Sequence, residues 1–454
     1  MKRMFLFVSW SLLFLTIQAQ PHRYVQLKGM VKTEKQKEIK LFSIENGAVR
    51  VLASTQMGPD GTYGFLFVPD SSGFYAVGTD RINHPVYVNP GDEINLNLEE
   101  EEEIAVLTGK NTPENMELYK WLDFSRTVRQ KSTRPLTAGV LSSYEDFFPD
   151  LEKLATETEN FKKAIHSANP SFDRSLRTMI DYDMDLYALT FLYTPRSIQP
   201  EKSDRTPYYQ TIISENKFAS DNILQYPDGL KLLSLYLTFI RIEKEVFNTQ
   251  PIDFDLEFIA NPVLKGEFLL AYLKRIKTYD RYEAFMHLYE KYLVTSEQKK
   301  SAEQVGSNLY ESAPGKSAPA FSYPDVAGKE HSLSDYRGKV VLIDVWATWC
   351  GPCRKEFPSL KKLEEEMRDK EIVFMGISIN ALKDKEKWAK MVETENLPGI
   401  QLLAGPEDKL SKDYKINAIP RYIVIDKQGN IVSADAPRPS DADLKILLEK
   451  ELRN

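Results

Sequence analysis

The chain has 454 residues, more than one hydrophobic core usually organises, since single cores stop growing near ~250–300 residues. Hydrophobic residues at 42% and charged residues at 28% exclude a largely disordered, collagenous or polytopic membrane protein. With 59 basic against 66 acidic residues the net charge is -7, which argues against a nucleic-acid or anionic-membrane surface.

The chain opens with Met1-Lys2-Arg3, an apolar run from Met4 to Ile17, and Gln18-Ala19-Gln20. This is the pattern of a secretory signal peptide, expected over 1–19 and either cleaved after Ala19 or retained as a membrane anchor. The expected location is therefore the periplasm or cell envelope. Loss of Lys2 and Arg3 would leave 57 basic against 66 acidic residues, or -9.

From 20 to 108 short alternating runs are broken by turn signals. Pro59-Asp60-Gly61 precedes Tyr63 to Val68, and Pro90-Gly91-Asp92 precedes Ile94 to Leu98. Such spacing predicts a small antiparallel β-sandwich. The run Glu99 to Glu103 lacks the spaced Asp/Asn/Gly loop of a calcium site and reads as a solvated strand end.

From 109 to 305 the period becomes helical. Thr112-Pro113 is a cap with proline in the first turn, and Met116, Tyr119 and Leu122 follow at helix spacing. A second stripe runs from Tyr144 through Phe147, Phe148 and Leu151 to Ile165, and Leu230 to Ile242 reads as a buried central helix. These aromatic stripes are expected to be core, because 23 Tyr and 23 Phe must be buried somewhere. Small residues mark 306–315 as a linker, after which 316–454 shows an α/β rhythm. Its expected elements are strands at Val340 to Ala347, Ile372 to Ile379, Tyr422 to Ile425 and Ile431 to Ser433. Helices are expected at Cys353 to Met367, at Lys383 to Glu395 and at the C-terminus.

There are only two cysteines, Cys350 and Cys353. That excludes a disulfide-stapled scaffold and any zinc site of three or four thiolates. The five histidines, His331 among them, are scattered with no pair at ligand spacing, so no metal is expected. A bridge between the two cysteines would close a four-residue ring worth roughly 2 kcal/mol on a chain-entropy basis, a poor structural crosslink. The pair therefore points to chemistry.

Cys350 falls between a strand end and a helix start, where unpaired backbone N–H groups and the helix dipole favour a thiolate. It is the candidate nucleophile. Cys353, one turn into the helix, is placed to resolve a mixed disulfide. No cofactor beyond this dithiol/disulfide is implied.

The segment Trp349-Cys350-Gly351-Pro352-Cys353 is similar to the thioredoxin active site. Its surroundings resemble the exported TlpA/ResA-like branch of the thioredoxin superfamily. They include Lys316 to Phe321, Leu333 to Lys339, Trp346-Ala347-Thr348-Trp349, Arg354-Lys355-Glu356, and Ile419-Pro420 before Ile423-Val424-Ile425-Asp426.

The resemblance implies a C-terminal α/β thioredoxin fold within a three-part, multidomain chain. It implies that Pro420 is the cis-proline beside the cysteines, where Ile419-Pro420 backbone and the Trp349, Gly351 and Pro352 surface meet an extended substrate. Pro358 would kink the active-site helix. Asp344 matches a buried carboxylate that assists proton transfer at the second cysteine, and Glu356 an acidic residue near the pair. Gly351-Pro352 is shared with reducing thioredoxins, near -270 mV against ~-120 mV for a dedicated oxidant. The expected function is a disulfide reductase acting on disulfide-containing envelope proteins and recharged by a membrane thiol donor.

Two other readings compete. The N-terminal two thirds could recruit an envelope partner, leaving the dithiol auxiliary. A peroxiredoxin-type peroxidase would need proline at position 343 and threonine at 347, where the chain has Ile343 and Ala347.

Overall fold

The structure is a computed structural model. It describes residues 24–32, 38–99, 103–133, 143–196, 198–214, 217–246, 251–406, 408–416 and 418–454. The expected signal peptide and most of the glutamate run lie outside the described residues. No helix among the described residues is long and apolar enough to cross a membrane. The chain divides into two compact units, Met1–Asn261 and Pro262–Asn454.

In the first unit eight strands come first: β1 (Val25–Lys32), β2 (Glu38–Glu45), β3 (Ala48–Gln56), β4 (Thr62–Phe67), β5 (Gly73–Gly78), β6 (Asn83–Val88), β7 (Glu93–Glu99) and β8 (Ile104–Leu107). They form two four-stranded sheets, β4-β1-β7-β8 and β3-β2-β5-β6. The alternation of Glu93-Ile94-Asn95-Leu96-Asn97-Leu98 decides which face each side chain meets. Ile94, Leu96 and Leu98 are buried with Val25 and Leu27 of the same sheet and Leu41, Val77 and Val86 of the other, in one apolar cluster. The pairings are not all antiparallel as expected, because β1 and β7 run parallel. Asn46-Gly47 closes the β2–β3 hairpin with both φ angles positive, the conformation a two-residue turn needs.

Helices follow at α1 (Pro113–Phe124), α2 (Arg126–Ser132), α3 (Tyr144–Ala164), α4 (Pro170–Tyr193), α5 (Tyr208–Ile212), α6 (Gly229–Glu243) and α7 (Ile252–Leu256). The Thr112 hydroxyl caps α1 by accepting from Asn115 N, with Pro113 in the first turn. Met116 is exposed, and the buried face of α1 is Leu118, Trp121 and Leu122.

Sheets and helices are stitched together. Buried Asn115 accepts from Tyr87 N at 2.9 Å and donates to Tyr87 O at 2.7 Å, fastening α1 to β6. Gly47 N donates to Leu224 O, and Leu230 N at the start of α6 donates to Gly47 O. The Phe74, Tyr87 and Phe172 rings meet across β5, β6 and α4. The β-rich and helical stretches therefore share one unit, with no break near 108.

The second unit starts inside the stretch read as one helical region. It comprises α8 (Pro262–Leu273), α9 (Tyr279–Tyr289) and α10 (Ser296–Leu309), a hairpin of β9 (Ser322–Pro324) and β10 (Glu330–Ser332), then β11 (Val340–Trp346), α11 (Gly351–Glu366), β12 (Ile372–Ser378), α12 (Lys385–Thr394), β13 (Ile400–Leu403), α13 (Lys409–Asp413), β14 (Arg421–Ile425), β15 (Ile431–Ser433) and α14 (Ala442–Arg453). Helical periodicity says that a face is buried but not against what. Here Arg281 of α9 pairs with Asp435, beyond β15, at 3.2 Å.

The 306–315 segment is not a free linker. Helix α10 continues through Leu309, a 3-10 turn spans Tyr310–Ser312, and Gly315 N donates to Ile431 O. Gly306 reads as a breaker in sequence, yet it serves close packing: a Cβ there would fall 2.4 Å from the Tyr282 ring. The five-stranded sheet has the order β13-β12-β11-β14-β15. β11 pairs parallel with β12 and antiparallel with β14, and β12 pairs parallel with β13. All seven residues of central β11 are buried, which is why it reads as a continuous apolar run. Strand β13 went unpredicted, being four residues long behind Pro398-Gly399.

Candidate active site

Cys350 and Cys353 form a disulfide, with Cα atoms 5.3 Å apart. Cys350 is the N-cap of α11, and its Sγ accepts a hydrogen bond from Cys353 N at 3.1 Å. The first turn of α11 carries no acidic residue to oppose a thiolate. Once the disulfide is opened, this N–H and the helix dipole stabilise negative charge on Cys350 sulfur. Cys350 is 4% exposed and Cys353 0%. Both are buried, and Cys350 is the less enclosed of the two. Pro358 sits inside α11.

The surface around Cys350 consists of Gly351, Pro352 and Trp349, all exposed, the indole at 63%. The Ile419-Pro420 peptide bond is cis. Ile419 packs against the cluster of Trp346, Ala347, Cys350, Cys353 and Phe357, which brings that bond beside the disulfide.

Alternation along β11 sends Val341, Ile343 and Val345 to one face of the sheet. Leu342 and Trp346 point to the other, where they meet Leu360, Leu363 and Phe357 of α11. Asp344 shares this second face with the active-site helix and is 4% exposed. Its Oδ1 and the hydroxyl of Tyr422, its register partner on β14, are both buried and find no hydrogen-bond partner beyond one another. Burial first, and the Glu356 carboxylate second, push the Asp344 carboxyl up to about 8, with Tyr422 opposing. A carboxyl near neutrality can give or take a proton.

Glu356, on α11 and 6% exposed, accepts from Ser440 N at 3.0 Å and from Ser440 Oγ at 3.1 Å. The sequence reading placed Glu356 near the cysteines without this anchor. His331, the one histidine weighed as an approach to the site, is engaged elsewhere: its ring bonds Tyr336 Oη and Asp325 Oδ2.

A second group missed from sequence holds the loop before Cys350. Asn380 Oδ1 accepts from Thr348 N at 2.8 Å and from Ser378 Oγ at 2.9 Å, while its Nδ2 donates to Thr348 Oγ1 at 2.8 Å. All three residues are buried. The available signal was a polar Ser378 and Asn380 closing an otherwise apolar run. Asn380→Ala leaves the Thr348 N–H unsatisfied and is expected to cost about 2–3 kcal/mol in chemical denaturation. A loss within experimental error would show that the loop is held by something else.

A disulfide at a helix N-terminus with a cis-proline beside it, on a thioredoxin-type sheet, is the arrangement of a thiol–disulfide oxidoreductase. Comparison with known proteins agrees. Residues 314–434 match the AhpC/TSA family. The chain is 33% identical over 135 residues to the thioredoxin-like protein YneN of Bacillus subtilis, covering 28% of this chain and 78% of that protein. It is 31% identical over 137 residues to the thiol-disulfide oxidoreductase ResA of Geobacillus kaustophilus, covering 30% and 77%. A solved thioredoxin domain of a thiol-disulfide oxidoreductase from Bacteroides vulgatus is 34% identical, covering 30% of this chain and 96% of that one, with a TM-score of 0.28. The chain belongs to the TlpA/ResA-like thiol–disulfide oxidoreductases of the thioredoxin superfamily. The positions where a peroxidase pattern needs proline and threonine are the fully buried Ile343 and Ala347.

Proposed function

We propose that this enzyme is exported and reduces disulfides of cell-envelope proteins. The observation that carries the reading is the asymmetry of the pair, with Cys350 the N-cap of α11 and marginally accessible at 4% and Cys353 fully buried in the first turn. In the reduced enzyme Cys350 thiolate attacks one sulfur of a substrate disulfide, forming a mixed disulfide and expelling a substrate thiolate. Cys353, losing its proton, then attacks Cys350 sulfur, re-forms the Cys350–Cys353 bond and expels the second substrate thiolate. Two electrons pass from enzyme to substrate, and a thiol donor at the membrane restores the dithiol. Asp344 in its ionised form takes the Cys353 proton, Glu356 tunes Asp344, and Trp349, Gly351, Pro352 and Ile419-Pro420 bind the extended substrate segment. The reducing direction is supported by Gly351-Pro352, export by the apolar run Met4 to Ile17. The paired sheets of the first unit are read as a β-sandwich that accompanies the redox domain.

Cys353→Ser, expressed in cells, is expected to hold discrete envelope proteins in mixed disulfides with Cys350. Equilibration of the wild-type protein with glutathione is expected to give a potential below roughly -200 mV. A value well above that range, or trapping of nothing, would overturn the reductase reading.

A further inference from the structure

The first unit contains a cavity of about 420 Å³, remote in sequence from the cysteines. This is the volume range of small-molecule sites. Among its lining groups are Arg129, on α2, and Glu103, just before β8. Arg129 Nε and Glu103 Oε1 are both buried without a hydrogen-bond partner. Neither side chain makes an ion pair among the described residues, so they do not neutralise one another.

Among the described residues no other titratable group at the cavity, Arg81 and Lys231 included, forms an ion pair with either. Asp228 pairs with Lys231 at 3.8 Å. Asp183 accepts from Trp121 Nε1 at 2.7 Å, and burial pushes its carboxyl up to about 7. The Arg129 cation pulls the other way but is outweighed by that burial, and the two form no ion pair. His84 is pushed down to about 3, by burial first and by the Arg129 cation second, so it is uncharged at neutral pH. Both residues are half-buried, so each charge keeps part of its hydration, while the buried Nε and Oε1 are left without a protein partner. The lining also includes Met179, Leu186, Tyr182 and Tyr226.

We propose that this cavity binds a small zwitterion, an amino acid or short peptide with an apolar side chain, whose carboxylate meets Arg129 and whose ammonium meets Glu103. A charge-assisted hydrogen bond contributes about 1.5–3 kcal/mol, so loss of either contact should weaken binding by about ten- to a hundredfold.

Calorimetric titration of the full-length protein with phenylalanine, glycyl-phenylalanine and glycyl-glycyl-phenylalanine spans the possible charge separations. One member is expected to bind at a single site, and its N-acetylated and C-amidated forms are each expected to bind at least tenfold more weakly. Arg129→Gln should erase the difference between the free and amidated ligand while keeping that between the free and acetylated one, and Glu103→Gln the reverse. The retained difference reports that each variant is folded. Absence of binding by all three ligands, or variants that discriminate between capped forms as the wild type does, would overturn the proposal.

Discussion

Cys350→Ser is expected to lower disulfide turnover by roughly a thousandfold or more, because a serine hydroxyl remains protonated at pH 7 where a cysteine can ionise. The hydrogen bond from Cys353 N to Cys350 Sγ and the N-cap position of Cys350 stabilise a sulfur anion. They do little for an alcohol whose proton is far harder to remove. Cys353→Ser should behave differently. Its Cys350 still attacks, so one equivalent of substrate thiol is released in a burst, after which turnover stops at the mixed disulfide. Thiol release from a disulfide-containing model peptide distinguishes the two. Retention of a tenth of wild-type turnover by Cys350→Ser, or a missing burst in the reduced Cys353→Ser protein, would refute the assigned order of attack.

The local part of this site was legible because its chemistry is written in adjacent residues. Cys350 to Cys353, the apolar run around Asp344, and Ile419-Pro420 each carry their signal within a few positions. Ser440 and Asn380 were not legible, since their partners Glu356 and Thr348 lie 84 and 32 positions away. Tyr422 likewise read only as a strand residue until pairing set it opposite Asp344.

The same distinction governs the larger architecture. Strand periodicity from 25 to 98 located elements, but the parallel β1–β7 pairing depends on which strands meet. The helical period over 109–305 announced helices without saying that α8 to α10 belong with the second unit. Gly306 was read as punctuation because composition cannot reveal a tyrosine ring lying against a helix. Arg129 gave no signal, and Glu103 read only as part of a solvated acidic strand end, until the fold set both at the lining of one cavity.

Asp344→Asn is expected to make the second unit more stable above neutral pH, an unusual direction for a substitution at a site of this kind. The folded carboxyl sits at about 8, against an ordinary unfolded value near 3.9, and desolvation is the main cause. Between those values the folded state holds a proton that the unfolded state has lost. Stability therefore falls as pH rises through this window, by up to about 1.4 kcal/mol per pH unit and on the order of 5 kcal/mol in all. Below about 4 and above about 8 this contribution is flat. Asparagine occupies the same space without a charge, so the slope should vanish and the variant should exceed the wild type by several kcal/mol at pH 8 to 9. Glu356→Gln removes the neighbouring like charge, so it should shift the window downward without abolishing it. Hydrogen exchange of the Val340–Trp346 amides in the oxidised protein, corrected for intrinsic rates, reads this strand directly. Identical pH dependence in wild type and Asp344→Asn would show that Asp344 does not keep its proton in the fold. That outcome would also remove the match with the Cys353 thiol on which its assignment as proton acceptor rests, because an ordinary carboxylate is too weak a base for that transfer.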